Sequence, residues 1–453
     1  MSATRTSSLS AQRLERLKNR SAAIGIIGLG YVGLPLSLLL AEAGFKVTGF
    51  DIDQKKVDSL TAGQSYIFRI PSEEIQSVRA KGFTATADFS KLTEQDAIIL
   101  CVPTPLNEHH EPDMSYIVDT AKMIAPWLQA GQLVALESTT YPGTTEEVLI
   151  PLLEAGNKLG LKVQGPGGEP AESGVFYVAF SPEREDPGNT TVARHNIPKV
   201  VGGHEPIAAE LAATLYEAIF TRAVRVSTTQ AAEMTKLLEN IYRCVNIALV
   251  NEMKVLALRM GIDIWEVIDA AATKPFGFQA FYPGPGLGGH CIPIDPFYLS
   301  WKAKEFGFHT RFIELAGEVN EAMPEFVVTQ VARALNTRKK PLNGSKVLML
   351  GMSYKKDIDD LRESPSLTLI ELLRDEGAEV VYNDPYHPTV GRGRKYNLNM
   401  TSTPLEDLGQ YDCVLIATDH SDYDYPSIVR ESQLVVDSRN ATKGMTADNL
   451  VRC

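Results

Sequence analysis

The chain has 453 residues, enough for two to four domains, and its composition excludes several classes of protein. A hydrophobic fraction of 44% with 22% charged residues excludes a disordered or fibrous chain. A net charge of −12 argues against non-specific binding of nucleic acid. No apolar run reaches the roughly 18 residues that span a bilayer, so no association with a membrane is expected.

The five cysteines predict neither a disulfide framework nor a zinc site, because they lack regular CxxC or histidine spacing. The first 20 residues are polar and basic and lack the apolar core of a secretory signal. A reducing cytoplasm is therefore the expected compartment, and no metal is expected. An acidic chain can still bind a small polyanion where local cations and helix N-termini surround it.

The first clear unit is a strand, a glycine turn, a helix and a second strand. Residues 23–27 and 46–50 are predicted strands, and residues 34–43 are a predicted helix. The turn between them reads Gly-Leu-Gly-Tyr-Val-Gly and leads directly into the helix. This order is typical of the βαβ unit that binds a dinucleotide.

Three glycines and one acid carry the chemistry of this unit. Gly28 permits the tight turn, Gly30 lets the backbone approach a pyrophosphate, and Gly33 lets the helix pack closely on the strand. Asp51 follows the second strand, where a carboxylate bonds ribose hydroxyls and repels a 2′-phosphate. The pattern therefore favours NAD over NADP. A glycine turn needed only for packing is the alternative.

Strands alternate with helices at both ends of the chain, which predicts two doubly wound Rossmann-like α/β domains with a helical domain between them. A long connecting helix is predicted over residues 229–260, which contain neither glycine nor proline. The later predicted strands are residues 97–102, 133–137, 177–180, 346–350, 378–382, 414–417 and 434–436, and a later helix is residues 366–375. The predicted segments are an N-terminal extension (1–21), a dinucleotide-binding α/β domain (22–227), a central helical domain (228–330) and a C-terminal α/β domain (331–453).

One cysteine lies in a loop rich in glycine and proline, residues 283–296. Cys291 precedes Asp295 and Pro296, which predict an N-cap and the first residue of a helix. The positive end of that helix would favour the thiolate. A small buried apolar cysteine is the alternative, Asp295 can be only a cap, and His290 receives no chemical role.

Further candidates lie on the long helix and in loops that follow predicted strands. Lys236 and Asn240 are four residues apart and share one helix face, where a cation and an amide can hold an oxyanion. Taken alone, Lys236 is expected to be a solvated surface residue, and Thr144 is expected to cap a helix. The loop candidates, each with an alternative as a turn residue, cap or surface charge, are Thr139, Glu183, Arg184, Lys355, Arg362 and Arg439.

With these residues in place, the chain resembles the UDP-glucose/GDP-mannose dehydrogenase family over most of residues 22–440. The resemblance implies oxidation of the C6 alcohol of a nucleotide sugar to a carboxylate, with two hydrides passing to two NAD⁺ and a cysteine holding the sugar as thiohemiacetal and thioester. It also implies that residues 22–227 bind NAD, that residues 228–330 form a dimerisation domain carrying the catalytic cysteine loop, and that residues 331–453 bind the UDP-sugar. A homodimer or larger homo-oligomer is therefore expected. The segments that carry the resemblance are the glycine turn with Leu34-Pro35, Ser181-Pro182-Glu183-Arg184, Lys236 with Asn240, Gly288-Gly289-His290-Cys291, and Lys355-Lys356-Asp357 with Arg362-Glu363-Ser364.

The resemblance assigns a role to each candidate. Lys236 and Asn240 would stabilise oxygen anions, Asp295 would orient or deprotonate the alcohol or water, and Glu183 and Thr139 would position the hydrolytic water. Cys291 would be the nucleophile. The expected cofactor-binding residues are Gly28, Gly30, Tyr31, Val32, Gly33, Asp51, Lys56, Pro103, Thr104, Thr139 and Arg362, the last reaching across to the cofactor. The expected substrate-binding residues are Glu183, Arg184, Lys236, Asn240, Tyr282, Gly286, Lys355 and Arg439.

Two departures from the UDP-glucose type of this family indicate the substrate. His290 and Ile294 stand where that type has serine and lysine, and Lys274 to Gly277 replace a segment that carries a sugar-contacting arginine. The loop resembles the N-acetylhexosamine branch, which serves bacterial surface polysaccharides such as the lipopolysaccharide O-antigen. UDP-N-acetylglucosamine is the expected substrate, followed by UDP-N-acetylmannosamine or UDP-N-acetylgalactosamine, with UDP-glucose as the remaining alternative.

Two other functional classes stay open. A two-electron β-hydroxyacid dehydrogenase also pairs a Rossmann domain with a lysine and an asparagine on a helix, but it needs neither Cys291 nor a second α/β domain. A non-catalytic protein that senses NAD or serves as a scaffold would retain the fold without depending on the thiol.

Overall fold

A computed structural model of the chain describes residues 9–67, 70–107, 111–164, 174–184, 193–289, 292–393 and 396–453. These residues form two compact units, Met1–Glu239 and Asn240–Cys453. Each unit is built around its own β-sheet. No helix in the described ranges combines the length and apolar character needed to cross a membrane.

The first unit contains a mostly parallel sheet. Its strands are β1 (Ala23–Ile27), β2 (Lys46–Phe50), β3 (Thr84–Thr86), β4 (Ala97–Leu100), β5 (Leu133–Leu136), β6 (Lys162–Val163), β7 (Val175–Phe180), β8 (Lys199–Gly203) and β9 (Ala223–Val226). Their spatial order is β3-β2-β1-β4-β5-β7-β8-β9, with β6 beside β7. All these pairs are parallel except β7 with β8. The order reverses at β1 and β4, and at such a switch point the carboxyl ends of the strands form a ligand crevice.

Helices cover this sheet on both faces, so its central strands are buried on both sides. All five residues of β1 are buried, as expected for a central parallel strand. The helices are α1 (Leu9–Lys18), α2 (Gly33–Glu42), α3 (Gln54–Thr61), α4 (Ser72–Ala80), α5 (Ser115–Ile124), α6 (Ile150–Gly156), α7 (Pro206–Tyr216) and α8 (Thr229–Met260), which continues into the second unit. The strands β1 and β2 and the helix α8 have the predicted bounds.

The second unit contains a smaller parallel sheet, ordered β11-β10-β14-β15-β16, and an antiparallel pair of β12 with β13. Its strands are β10 (Lys346–Leu350), β11 (Glu379–Asn383), β12 (Thr389–Arg392), β13 (Asn397–Thr401), β14 (Cys413–Ile416), β15 (Val435–Asp437) and β16 (Leu450–Arg452). Its helices are α9 (Ile264–Ala272), α10 (Asp295–Ala303), α11 (Arg311–Glu321), α12 (Met323–Thr337), α13 (Pro365–Asp375) and α14 (Tyr425–Glu431). The predicted fold class, two Rossmann-like sheets with a long helix and a helical region between them in the chain, is confirmed.

A buried acid at the start of α7 makes the stability of the first unit depend on pH. Glu205 is 5% exposed, and burial raises its pKa from 4.5 to about 8. Because the folded state holds this proton more tightly than the unfolded state, the stability that Glu205 contributes is fully present below pH 4.5 and is lost as the pH rises toward 8. In the wild type, Glu205 should lower the free energy of unfolding by about 3 kcal/mol between pH 5 and pH 8. We expect this decrease to be absent in Glu205→Gln. Urea unfolding at both pH values measures it, and an unchanged pH dependence in the variant would contradict the assignment.

Candidate active site

The fold requires two glycines of the glycine turn, Gly28 and Gly33, but it does not require the third, Gly30. Gly28 has a φ of +88°, and a Cβ there would lie 2.5 Å from the carbonyl oxygen of Cys101. A Cβ on Gly33 would lie 1.9 Å from the carbonyl oxygen of Gly28, but one on Gly30 would meet no atom within 4 Å. The open space at Gly30 leaves room for a ligand to approach the backbone at the N-terminus of α2. The residues present therefore fit the pyrophosphate of a dinucleotide.

The predicted ribose-binding acid is also an anchor for the turn. The carboxylate of Asp51 accepts a bond from the backbone N–H of Leu29 at 2.9 Å and one from Lys56 Nζ at 3.1 Å. Its other oxygen accepts the N–H of Asp53 at 2.9 Å. Asp51 therefore joins the end of β2 to the turn, and its contact with a ribose stays a prediction. Tyr66, which the sequence analysis missed, supports the same turn by donating to the carbonyl of Leu29 at 2.5 Å.

The loops after β4 and β5 meet at the same edge of the sheet. The Ser138 hydroxyl accepts the N–H of Val102 at 2.9 Å and donates to the carbonyl of Val102 at 2.7 Å. These two hydrogen bonds join the loops that carry Pro103 and Thr139. Both residues are at least partly exposed. Thr104 is buried, whereas Tyr31 beside the glycine turn is exposed. Their predicted contacts with the cofactor stay predictions.

A short helical segment, Thr145–Leu149, follows the β5 loop, and its N-terminus is capped by a residue that is distant in the sequence. Thr144 occupies the N-cap position, but its hydroxyl donates to the carbonyl of Tyr141, so the prediction that its side chain caps the helix is wrong. The buried carboxylate of Glu233 accepts the N–H groups of Gly143 and Thr145 instead, at 2.6 and 2.9 Å. A carboxylate on α8, distant in the sequence, thus takes the place of a local side-chain cap. No local sequence signal pointed to Glu233.

Glu183 lies at the edge of a buried charge cluster that the sequence analysis missed. Lys199 Nζ, at the start of β8, lies 2.9 Å from a carboxylate oxygen of Glu137 and 3.4 Å from one of Glu183. Burial by itself would lower the pKa of Lys199, but the two carboxylates outweigh it and raise that pKa above its ordinary value. Burial raises the pKa of Glu137. Arg184, the next predicted site residue, is bound to Glu239 and to the carbonyl of Pro198.

The two candidates on α8 are both buried. Lys236 is 7% exposed and Asn240 is 5% exposed, so the expectation of a solvated Lys236 is wrong. A lysine is rarely buried without a function or a partner, which strengthens its candidacy. The pattern of polar residues along α8 could not reveal this burial, because α8 is not a simple surface helix.

Asp295 differs from its prediction as an N-cap. The helix α10 begins at Asp295 itself, with Ile294 at the N-cap position and no side-chain cap. The Asp295 carboxylate instead accepts a bond from the Asn240 amide at 2.5 Å, and both side chains are buried. The Asp295 side chain therefore bonds a residue that is distant in the sequence instead of capping its own helix. Two predicted catalytic residues are thereby brought into direct contact.

The glycine-rich loop before α10 is held closely by its surroundings. A Cβ on Gly288 would lie 2.4 Å from the Cβ of Tyr354, and Gly286 has a φ of +140°. The N–H of Gly289 donates to the carbonyl of Arg362 at 3.0 Å, and that of Gly284 donates to the side chain of Asn251 at 3.0 Å. The loop therefore needs its glycines for close packing and backbone conformation. His290 and Cys291, which follow, lie outside the described residues.

The predicted substrate cations of the second unit follow its strands. Arg439, after β15, donates to the carbonyls of Ala417 and Tyr354 at 2.8 and 3.3 Å, and burial lowers its pKa. Lys355 lies half-buried in the loop after β10. Tyr282 stacks on Trp265 with ring centroids 5.7 Å apart and is 47% exposed. Arg362 forms a bidentate pair with Asp360, and its reach to a cofactor stays a prediction.

A buried histidine, also missed by the sequence analysis, holds the loop that carries Lys355. His420 Nδ1 accepts the N–H of Asp357 at 3.0 Å, so Nε2 carries the proton and donates to Asp384 at 3.1 Å. Asp357 in turn accepts bonds from the N–H and hydroxyl of Ser421, both at 2.7 Å. The two loops are thus joined reciprocally.

Replacing His420 with phenylalanine should break both bonds while keeping an aromatic ring at the buried position. Because Asp384 loses one of its hydrogen-bond donors and the Asp357 N–H loses its acceptor, we expect the free energy of unfolding to fall by about 2 kcal/mol. We also expect KM for a UDP-sugar to rise by about 10-fold, since the Lys355 loop is released. Urea unfolding and steady-state kinetics measure these effects. The exposed His309→Phe is the matched control, and a His420→Phe protein as stable as that control would refute the tether.

Three family models together match most of the chain. The NAD binding domain of the UDP-glucose/GDP-mannose dehydrogenase family matches residues 22–220, the central domain of that family matches 230–322, and its UDP binding domain matches 348–444. These segments correspond to the first sheet, the helical region and the second sheet.

Individual relatives agree with the family models. The chain is 34% identical to UDP-N-acetyl-D-glucosamine 6-dehydrogenase of Pseudomonas aeruginosa, covering 88% of this chain and 91% of that protein. It is also 34% identical to UDP-N-acetyl-D-mannosamine dehydrogenase of Escherichia coli K12, covering 89% and 94%. Among solved structures, UDP-D-ManNAc dehydrogenase from Pyrococcus horikoshii is 33% identical with a TM-score of 0.84, covering 95% of this chain and 98% of that one. The chain therefore belongs to the UDP-glucose/GDP-mannose dehydrogenase family and is an NAD-dependent oxidoreductase that acts on nucleotide sugars.

Proposed function

We propose that this protein oxidises the C6 alcohol of a UDP-N-acetylhexosamine to a carboxylate through a covalent intermediate on Cys291, with UDP-N-acetylglucosamine as the first candidate substrate. The observation that carries the proposal is the buried contact between Asn240 and Asp295. Asp295 stands four residues after Cys291, so the contact fixes the segment that follows the thiol. A buried carboxylate can orient a hydroxyl, and a buried amide can donate a hydrogen bond to an oxygen anion.

The chemistry of the proposed reaction balances at each step. The alcohol loses a hydride and a proton to give an aldehyde. The Cys291 thiolate adds to the aldehyde carbon, and the aldehyde oxygen takes up that proton to form a thiohemiacetal. Loss of a second hydride and the hydroxyl proton gives a thioester, which water hydrolyses to the carboxylate and the free thiol. NAD⁺, when bound, supplies the acceptor for each hydride, so two molecules of NADH leave per sugar. Cys291 retains the sugar between the two oxidations.

The proposed roles follow from residue chemistry and from the family resemblance. Lys236 and Asn240 stabilise the oxygen anions of the tetrahedral species, and Asp295 orients or deprotonates the attacking oxygen. Glu183 and Thr139 position the water that cleaves the thioester. The nucleotide is held by Lys355 and Arg439, whose charges match a diphosphate. The remaining predicted contacts keep the roles given to them above.

The choice of an N-acetylated sugar is supported by the loop around Cys291 and by the relatives. Ile294 and the segment from Lys274 remove a lysine and an arginine found in the UDP-glucose type, and an acetamido group needs a wider and less charged pocket. The named relatives act on UDP-N-acetylglucosamine and on UDP-N-acetylmannosamine at equal identity to this chain. UDP-N-acetylmannosamine and UDP-N-acetylgalactosamine are therefore the next candidates.

We further propose that the protein works as a homodimer, or a larger homo-oligomer, in the reducing cytoplasm. The long helix α8 exposes large apolar side chains, which on a soluble protein mark an interaction surface. They include Leu238, Leu249, Met253 and Leu256. A molar mass in solution of at least twice that of one chain is expected, and a strictly monomeric active enzyme would refute the proposal.

The substrate and the electron count can be tested in one assay. Each of four UDP-sugars, the three N-acetylhexosamines and UDP-glucose, is supplied with excess NAD⁺, and kcat/KM and the final NADH yield are measured. We expect the highest kcat/KM with UDP-N-acetylglucosamine and two NADH per sugar consumed. A higher kcat/KM with UDP-glucose would overturn the choice of branch. A yield of one NADH per substrate would favour the two-electron dehydrogenase class instead.

A further inference from the structure

We propose that Lys199 is a positioning residue of the active site, which aims the Glu183 carboxylate and keeps it ionised, and that Glu137 is the buried counter-charge which fixes Lys199. The inference rests on the proposed function only in assigning Glu183 to the water of thioester hydrolysis. The geometry itself belongs wholly to the first unit. Lys199 does not touch substrate in this proposal and acts through Glu183.

The first argument is the cost of the arrangement. The Lys199 side chain is 3% exposed and that of Glu137 is 0% exposed. Burying an ion pair so completely costs desolvation energy that the attraction between the charges often fails to recover, so such a pair is weak as a stabilising device. A hydrophobic pair of similar volume would fill the space at no greater cost. The pair therefore requires an explanation other than stability.

The second argument is the direction in which the charges point. Glu183 is the accessible member of the cluster, with its side chain 25% exposed, whereas the other two members are closed off. One oxygen of Glu183 accepts from Lys199 at 3.4 Å, and the other accepts the N–H of Arg184 at 2.8 Å. The carboxylate is thus held on one oxygen by a cation and on the other by the backbone. Glu183 and Lys199 both line a cavity that Val32 of the glycine turn also lines.

The third argument is how Lys199 itself is fixed. Its ammonium lies over the rings of Tyr216 and Phe220, 5.1 and 5.5 Å from their centroids. The same ammonium donates a hydrogen bond to Glu137. Cation–π contacts and the ion pair together leave the Nζ little freedom. Because the positive end of the Lys199–Glu137 pair is the end nearer to Glu183, the pair as a whole favours the ionised form of Glu183.

The other groups that face the cluster do not titrate with it near neutral pH. Burial raises the pKa of Cys101 and of Tyr216 well above their ordinary values, so both stay neutral. Two arginines also line the cavity, Arg184 and Arg194, and arginine stays charged at every relevant pH. A change in the ionisation of Glu183 can therefore be assigned to Lys199 by substitution.

The test compares two variants that share the loss of Glu137. Glu137→Gln leaves the ammonium beside Glu183, whereas Lys199→Met with Glu137→Gln removes the buried pair without leaving an unpaired charge. The pKa of Glu183 is read by infrared titration of the carboxyl band, with a Glu183→Gln version of each protein as the subtraction blank. We expect the pKa to rise by about one pH unit or more in the double variant and to stay at or below the wild-type value in Glu137→Gln. The acid limb of the kcat–pH profile should move in the same way.

A merely structural role for Lys199 predicts a different pattern. If Lys199 only compensates Glu137, the double variant should titrate and turn over as the wild type does, and that result would overturn the proposal. Thermal unfolding of each variant shows whether it is folded. The infrared titration needs no substrate, so it tests this inference even if UDP-sugar oxidation is not found. Absence of UDP-sugar oxidation in the wild type would instead refute the proposed function.

Discussion

Replacing Cys291 with alanine is expected to lower kcat/KM for the oxidation of a UDP-sugar by about 10³-fold or more. The reason is that the aldehyde formed by the first hydride loss would have no thiol to capture it. Without a thiohemiacetal there is no route to a thioester, so the second oxidation stops. The binding of NAD⁺ should be unchanged, because the glycine turn that fits the cofactor belongs to the first unit.

A second cysteine provides the matched control for this experiment. Cys244 is buried, and burial raises its pKa to about 11, so it cannot act as a thiolate nucleophile near neutral pH. Cys244→Ala should therefore retain kcat/KM within about two-fold, apart from a modest loss of stability. Steady-state NADH production measures both variants. Thermal unfolding checks that neither change has disrupted the fold.

The covalent intermediate can also be observed directly. In Glu183→Gln, hydrolysis of the thioester should be slowed, and intact-mass analysis during turnover should find the sugar nucleotide attached to Cys291. If the Cys291→Ala protein turned over at the wild-type rate, or if no adduct accumulated in Glu183→Gln, the covalent route would be wrong. Alkylation of Cys291 should abolish activity in the wild type.

The regular elements were predictable because their signals are local. The strand β1 is a short apolar run ending at a glycine turn, and α8 is a long segment without glycine or proline. The side-chain networks were not predictable, because their members are far apart in the sequence. Lys199 and Glu137 are separated by 62 residues, and Glu233 and Thr145 by 88. Nothing in the neighbourhood of a single residue announces a partner at such a distance.

A comparison of the two sheets explains why the second carries no dinucleotide signature. In each, an acid at the end of the second strand accepts the N–H of a residue just after the glycine of the first turn: Asp51 bonds Leu29, and Asp384 bonds Met352. Around Asp384, however, the space is taken by protein. His420 donates to it, and the N–H groups of Tyr386 and His387 bond its other oxygen. The second sheet therefore repeats the turn and its acid, with His420 in place of the Lys56 partner of Asp51.

Alanine at two positions of the first turn should separate folding from cofactor binding. At Gly33, the added Cβ would lie 1.9 Å from a backbone oxygen, so we expect Gly33→Ala to lower the free energy of unfolding by about 3 kcal/mol or more. At Gly30, the added Cβ meets no atom of the chain within 4 Å, so Gly30→Ala should fold with wild-type stability. It should nevertheless raise the Kd for NAD⁺ by about 10-fold or more, because the methyl group occupies the approach to the backbone.

Thermal unfolding with and without NAD⁺ measures both effects, because the rise in Tm caused by a ligand depends on how tightly that ligand binds the folded protein. Gly391→Ala is the matched control, because a Cβ there also meets no atom within 4 Å and the residue belongs to the second unit. That variant should keep both the Tm and the NAD⁺-induced rise in Tm. Wild-type binding of NAD⁺ by Gly30→Ala would mean that the cofactor does not approach the turn at this glycine, and wild-type stability of Gly33→Ala would mean that the turn and α2 are not in close contact.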